Sequence, residues 1–419
     1  MTGGSAQGVL GLAVFVAIAY ALSTARAEVR WGRVALGLGF QSALVAFLHA
    51  VPGSRLVFAK LNAAVLTLQQ ATEAGTAFVF GYLGGSAPPF EVKAPAQGFI
   101  LAFQALPLVL VLSALASLLI YWRVLPATVR LFAFVLERVF RIGGAVGFGA
   151  VAMAFLGMVE APLLIRPYLA KLTTAELFML MTTGMATIAG TVLVIYATLL
   201  TPLVPDAIGH LLVASMINVA AALVFAPIVV PEVAAPIAGR WVPPRGAASA
   251  VAAIADGTRA GLELMLQIAA MLLVLVSLVK LADLILGGLV PEFAGAPLSL
   301  ERAAGWAMAP IAWLTGIPWA EAPAAGRLLG IKIVLNEFIA YVDFAAGGGA
   351  GFSPRTRLIL TYALCGFANI GSLGILIGGI GQLVPERRAL IIRLGPRAVA
   401  AGMLATLSTG TLVGLIASP

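Results

Sequence analysis

Apolar runs of bilayer length recur along this chain. Residues 98–121 and 177–203 carry no charge, 262–281 carries only Glu263 and Lys280, and 8–23 is extended by apolar flanks. About 20 such residues in a helix span the hydrocarbon layer. Composition supports the same reading. Of 419 residues, 61% are hydrophobic and 10% charged, whereas a soluble domain carries roughly 25% charge. There is too little polar surface to cover a water-soluble globule. The expected fold class is an all-α polytopic membrane protein with about eight spans. These lie near 6–25, 34–52, 97–122, 174–203, 207–230, 258–288, 355–383 and 395–417.

The net charge of +8 is dispersed at segment ends, with no long basic run and no interleaved aromatics, so nucleic acid is not an expected partner. Arg26, Arg30 and Arg33 follow the first span. Arg123, Arg130, Arg138 and Arg141 follow the third. Arg166 and Lys171 precede the fourth, Arg240 and Arg245 follow the fifth, and Arg387, Arg388, Arg393 and Arg397 separate the last two. One alternation places all these clusters in the cytoplasm and both termini outside. Arg55, Lys60, Lys93, Arg355 and Arg357 dilute that bias. The first basic residue, Arg26, comes after the first apolar run, which therefore reads as a membrane helix and not as a leader peptide. Residues 56–80, 126–141 and 246–256 are amphipathic or short, and suit helices lying in the membrane interface.

Few residues offer chemistry. Cys365 is the only cysteine and sits in an apolar segment, so it reads as a packing residue. His49 is isolated. His210 and Asp206 fall short of the three or four ligands of a zinc site. Asp206, His210 and Ser215 make a weak triad at best, and there is no Gly-x-Ser-x-Gly elbow. No enzyme, metal site or cofactor is expected. Lys280 and Asp283 are spaced to pair along one helix face, as are Arg259 and Glu263.

Two carboxylates are harder to dismiss. Glu160 and Glu337 lie in apolar stretches beside helix breakers. A charge at membrane depth costs roughly 3 kcal/mol or more and persists where it faces a partner, a cavity or a solute. Residues 143–171 are interrupted by Gly157, Glu160 and Pro162, and 300–345 by Gly316, Pro318, Gly326 and Gly330. For the charge clusters to alternate, both segments must start and finish on one face, as re-entrant hairpins of opposite topology. Each precedes a span with a polar interruption, at 187–191 and 368–372. Hairpin plus broken helix, twice and inverted, is the pattern of alternating-access transporters, with the solute near the bilayer midplane. The expected division is 1–142 as scaffold spans and interfacial helices, 143–203 as the first hairpin and broken helix, 204–299 as scaffold and oligomer-contact spans, 300–383 as the second hairpin and broken helix, and 384–419 as the last span.

Ordered blocks in the same region carry a family resemblance. They are Glu160-Ala161-Pro162-Leu163 with Pro167-Tyr168, Glu176-Leu177-Phe178, Ala186-Thr187-Ile188-Ala189-Gly190-Thr191, Asp256-Gly257 with Ala260-Gly261, Pro310 with Gly316 and Pro318-Trp319, Lys332 with Asn336-Glu337-Phe338-Ile339-Ala340-Tyr341, and Phe367-Ala368-Asn369 with Ser372. In these blocks the chain resembles the concentrative nucleoside transporter family. The resemblance implies a homotrimer in the plasma membrane (the bacterial inner membrane), surrounded by lipid and working by an elevator mechanism on a nucleoside-like solute. Carried over by position, Glu337, Asn369 and Ser372 fall on the ribose side, with Phe367 nearby. Glu160 and Val192, with Met158 and Val159, fall on the base side. The ribose assignment also makes chemical sense, because a carboxylate accepts from hydroxyls while an amide both donates and accepts. Glu337 and Asn369 equally suit local roles at a hairpin tip and a helix cap.

The family pattern breaks in one region. Members usually carry Gln-Thr before the first glutamate, where this chain has Met158 and Val159. A sodium-using member has an asparagine where Met153 stands, and a thioether is a poor ligand for a hard cation. Thr187 and the backbone near Leu156 and Ile188 remain as candidate cation ligands. The expected coupling ion is therefore H⁺, with Na⁺ the alternative. The proton would be carried by Glu160, or by Glu337, since either carboxylate would be desolvated at this depth. The base-side pocket reads as greasier, which leaves open a nucleoside held through its ribose, another solute with an apolar part, or a receptor that does not transport.

Overall fold

The computed structural model describes residues 3–50, 52–91, 100–233, 247–290, 292, 295 and 297–416. Lys93, Arg240, Arg245 and the chain ends lie outside the described residues, as do the side chains of His49 and Arg55. Among the described residues the fold is helical, without strands.

Three helices open the chain: α1 (Gly3–Ala21), α2 (Trp31–Ala50) and α3 (Pro52–Phe80). Then follow α4 (Leu101–Gln104), α5 (Leu108–Tyr121) and the amphipathic α6 (Val124–Phe140). A first hairpin is built from α7 (Gly144–Leu156), α8 (Glu160–Leu164) and α9 (Arg166–Leu169). A broken helix follows, as α10 (Thr174–Ala186) and α11 (Gly190–Leu200), and then α12 (Ala207–Val229). The second half repeats this order. The 40-residue α13 (Ala250–Leu289) leads to α14 (Leu300–Leu314). The hairpin α15 (Ala322–Val334) and α16 (Glu337–Asp343) precedes the broken helix α17 (Pro354–Leu364) and α18 (Ile370–Leu383). The chain closes with α19 (Arg388–Ile416).

Local chemistry explains the boundaries. Thr173 and Glu176 form a reciprocal capping box at the start of α10, which satisfies two otherwise orphaned donors. Ser249, Ser299 and Ser353 accept from backbone N–H groups at the starts of α13, α14 and α17. Gly157 ends α7 with φ 95°, a conformation that favours glycine. Pro162 sits inside the first turn of α8, where its missing N–H has no intrahelical partner to lose.

The core is the packing of α10, α12 and α17 around α19. From Ala398 to Gly414 most of α19 is buried. α13 stands apart from that core, paired with α5, and leaves Leu273, Leu281 and Leu284 exposed. Exposed leucines on a span are ordinary when the solvent is lipid.

Four expectations need correction. Residues 250–256 are not a separate interfacial helix. They begin α13, which runs unbroken through Gly257 and Gly261 because those glycines allow close contact with α5; an added Cβ would stand 2.6 Å from Ser113 O and 2.8 Å from Leu110 Cα. Gly326 and Gly330 do not break the second hairpin. They are packing positions within α15, where a Cβ would meet Ala309 N at 2.6 Å and Ala304 Cβ at 2.8 Å. The interruption at Gly316 (φ 98°) separates α14 from α15, and the turn of the second hairpin lies at Leu335-Asn336. Thus 300–314 is the counterpart of α6, and the hairpin is α15 with α16. Finally, Asp283 does not pair with Lys280 in the structure; its Oδ1 accepts the Leu300 N–H at 2.7 Å, holding the start of α14 to α13. Arg259 and Glu263 do pair, at 3.6 Å on an exposed face.

Candidate functional site

Four helix interruptions meet around one cavity of ≈ 110 Å³. They are the turn 157–159 before α8, the break 187–189 before α11, the turn 335–336 before α16, and the break 365–369 before α18. An interrupted helix leaves polar backbone without intrahelical partners, and at membrane depth such backbone is tolerated where protein or a wet cavity satisfies it. Here the breaks also support one another. The Phe367 N–H donates to Thr187 O at 3.3 Å. Asn218 Nδ2 donates to Cys365 O at 2.6 Å. The small residues let backbone approach backbone: a Cβ at Gly190 would stand 2.8 Å from Phe155 O, and one at Gly366 2.6 Å from Ala186 O.

Glu337 is the centre of the polar side of this cavity. It is the first residue of α16, whose N-cap Asn336 accepts the Ile339 N–H at 2.9 Å. A carboxylate at a helix N-terminus is favoured by the dipole. Its Oε1 accepts from Tyr196 OH at 2.7 Å, and its Oε2 from Asn369 Nδ2 at 2.8 Å. Asn369 is fixed at its other end too, because Oδ1 caps α18 by accepting the Ser372 N–H at 2.7 Å. One asparagine therefore joins a helix start to the carboxylate. An ionised carboxylate has about four acceptor sites, so capacity remains for a solute beyond Tyr196, Asn369 and the backbone at the start of α16.

Behind this network the packing is aromatic and buried. Tyr196 stacks near Tyr341, with ring centroids 4.9 Å apart, and Phe338, at 5.9 Å. Tyr341 OH donates to Thr361 O at 2.8 Å. Lys332 is fully buried; its Nζ donates to Ala363 O at 2.8 Å and Thr406 Oγ1 at 3.1 Å, tying the end of α17 to α15 and α19.

Much of the remaining lining is apolar: Met158, Val159, Val192, Phe367 and Ile375 contribute to it, together with the polar Glu160 and Gln267. Glu160 opens α8 and faces the cavity, its carboxylate held by backbone at the start of its own helix and by no ion pair among the described residues. The eight residues proposed for the solute thus lie around one cavity. Met153, Leu156, Thr187 and Ile188 do not line it and sit beside it in the core. Several of their oxygens are already engaged. Met153 O accepts the Gly157 N–H at 2.9 Å, Thr187 Oγ1 donates to Thr183 O at 2.8 Å, and Ile188 O accepts from Ser215 Oγ at 3.4 Å. Asp206 and His210 do not converge on a metal either: His210 Nδ1 lies 3.1 Å from Tyr362 OH.

Sequence reasoning missed Tyr196, Asn336 and the wall supplied by α13, notably Gln267 and Met271, together with Leu106. Gln267 carried a usable signal as an uncharged polar residue within an apolar span. Tyr196 carried a weaker one, as a hydroxyl nine residues beyond the Thr187 break.

A polytopic helical bundle whose broken helices surround a cavity with buried carboxylates is a membrane transporter by architecture. Three family models match in order: "Na+ dependent nucleoside transporter N-terminus" over residues 10–83, "Nucleoside recognition" over 102–203, and "Na+ dependent nucleoside transporter C-terminus" over 210–414. The chain belongs to the concentrative nucleoside transporter family, a family of multi-pass membrane transporters and not of enzymes. It is 34% identical over 411 residues to the nucleoside permease NupC of Helicobacter pylori, covering 97% of this chain and 96% of that protein. It is 35% identical over 414 residues to the uncharacterized transporter YutK of Bacillus subtilis, covering 97% and 98%. The solved structure of CNTnw in an inward-facing substrate-bound state superposes with a TM-score of 0.89 at 34% identity, covering 98% of this chain and 99% of that one.

Proposed function

We propose that this protein imports a nucleoside or nucleoside-like solute by cation symport, with H⁺ as the coupling ion. The observation that carries the reading is Glu337, clamped by Tyr196 and Asn369 with acceptor capacity to spare, in a largely apolar cavity that a second acid, Glu160, also lines. Glu337, Asn369 and Ser372 hold the ribose hydroxyls, and Phe367 shapes that end. Met158, Val159, Val192 and Glu160 surround the base. Two apolar side chains stand where a base edge would be hydrogen-bonded, so ribose and packing dominate affinity. The same feature favours, as a second reading, a modified nucleoside or another solute with a bulky apolar part.

Proton coupling is supported by the donor set around Met153. A hard cation prefers oxygen ligands, and among the side chains of Met153, Leu156, Thr187 and Ile188 only Thr187 supplies one. Glu160, which lines the cavity and has no cationic side chain in ion-pair distance among the described residues, is the group that takes up and releases the proton. Na⁺ coupling through Thr187 and nearby carbonyls is the alternative.

The hairpins α7–α8 and α15–α16 are re-entrant from opposite faces. With their broken helices they form the mobile part of an elevator. Residues 1–142, α12 and α13 form the scaffold, and the 204–299 region supplies the contacts of a homotrimer. The protein resides in the bacterial inner membrane with the arginine-rich ends in the cytoplasm and both termini outside. The test is uptake by proteoliposomes of purine and pyrimidine nucleosides, with and without Na⁺, across imposed pH gradients. Accumulation driven by an inward proton gradient supports the reading. Accumulation that needs Na⁺ and ignores pH at constant membrane potential rejects the coupling, and transport of no nucleoside rejects the solute.

A further inference from the structure

A second feature lies away from the solute cavity, at the junction of α2 and α6. A groove of ≈ 700 Å³ runs between them, bordered at one end by Arg30, Arg33, Arg138 and Arg141 and by no carboxylate. Arg30, Arg33 and Arg141 also border an adjoining cavity, where Glu28, Glu176 and Glu232 lie. Two of those acids have other work: Glu176 closes the capping box with Thr173, and Glu232 accepts from Thr173 Oγ1 at 2.8 Å. Among the described residues none of the four arginines has a carboxylate within ion-pair distance. Arg138 lies over the Phe134 ring at 5.0 Å, and all four are exposed.

Away from the arginines the groove turns apolar. Leu36, Gly39, Phe40 and Ala43 follow helical spacing along one face of α2, and Phe47 continues it; Leu36 and Phe47 are 54% and 62% exposed. The floor is Phe40 packed edge-on against Phe140 at 5.9 Å. Gly37 and Gly39 divide two tasks. A Cβ on Gly37 would collide with Val224 at 2.6 Å, so that glycine serves packing against α12. A Cβ on Gly39 would meet nothing within 4 Å, so that glycine leaves the groove open. From α6 the groove is lined by Val139 and Phe140.

We propose that this groove binds one anionic phospholipid, its phosphate among Arg30, Arg33, Arg138 and Arg141 and an acyl chain along Leu36, Gly39 and Ala43. Charge complementarity selects an anion, because basic pockets between membrane helices recognise lipid headgroups. The apolar continuation selects a lipid over a free phosphate, since a soluble anion has no use for it. Because α6 packs on α7, which leads to Glu160, the bound lipid supports the first hairpin from the membrane side. The inference depends on the membrane setting and not on which solute or ion is carried.

The test reconstitutes the full-length protein in vesicles with equal parts of phosphatidylglycerol and phosphatidylcholine and reads retained lipid by native mass spectrometry. The wild type retains phosphatidylglycerol in preference to phosphatidylcholine. Replacing Arg30, Arg33 and Arg141 by Gln weakens retention about fivefold per arginine. Gly39→Leu fills open space, keeps the melting temperature in detergent, and removes the preference by blocking the chain. Added inorganic phosphate does not displace the lipid. Equal retention of both lipids, a Gly39→Leu variant that retains phosphatidylglycerol as the wild type does, or displacement by inorganic phosphate would each overturn the proposal.

Discussion

Asn369 performs two separable tasks, and a pair of substitutions can read them apart. Its Oδ1 caps α18 through the Ser372 N–H, and its Nδ2 donates to the Glu337 carboxylate. Asn369→Ser keeps a capping oxygen but loses the donor to Glu337. Hydrogen bonds to charged groups contribute about 1.5–3 kcal/mol, so if Glu337 must be held in place to receive the solute, KM for a ribosylated solute rises roughly 10- to 150-fold. Asn369→Ala loses both interactions, and the missing cap costs a further ~1 kcal/mol of stability. The expected result is that both variants lose transport while only the alanine variant also falls clearly below the serine variant in melting temperature. Initial uptake rates in proteoliposomes and thermal unfolding in detergent supply the two readouts. A serine variant that transports with wild-type KM would refute the claim that the Asn369–Glu337 bond organises the site. A serine variant as unstable as the alanine variant would refute the division of labour.

Glu160→Gln should abolish accumulation driven by a proton gradient while retaining solute exchange in counterflow, because only the proton carrier is removed; gradient-driven uptake at the wild-type level would exclude Glu160 as that carrier. Met158→Gln with Val159→Thr should lower KM for ordinary nucleosides by restoring hydrogen-bonding groups to the base side, as measured in the same uptake assay; an unchanged KM would mean that the apolar wall does not set affinity. Gly326→Val should destabilise the protein by about 1–3 kcal/mol, the usual cost of overpacking, because its Cβ would stand 2.6 Å from Ala309 N and Gly305 O. Gly75→Ala, with nothing within 4 Å, is the control that should leave the melting temperature unchanged or slightly higher.

Much of this protein was legible along the chain. Apolar runs of bilayer length, basic residues at their ends and acids beside helix breakers pointed to a membrane transporter with interrupted helices. The residues singled out around the solute, from Met158 to Ser372, lie around one cavity. One error recurred. Gly326 and Gly330 were read as breaks and 246–256 as a helix apart from the following span, whereas Gly326, Gly330, Gly257 and Gly261 each sit inside a helix and receive a neighbouring segment. A glycine that bends its own chain and a glycine that makes room for another chain segment look alike in a single sequence.

The chain alone therefore determined what depends on near neighbours and on the solvent: that its segments are helices, that several are apolar enough to cross a membrane, and that Gly157 and Asn369 mark helix ends, because hydrogen bonding, capping and transfer to hydrocarbon act over a few residues. Only the tertiary structure decided which interruptions meet. Tyr196 reaches Glu337 across 141 residues of sequence, and Gln267 faces the same cavity from a helix on the other side. Those contacts follow from how whole helices pack against one another, and helix packing is settled by the shapes of surfaces assembled from distant parts of the chain.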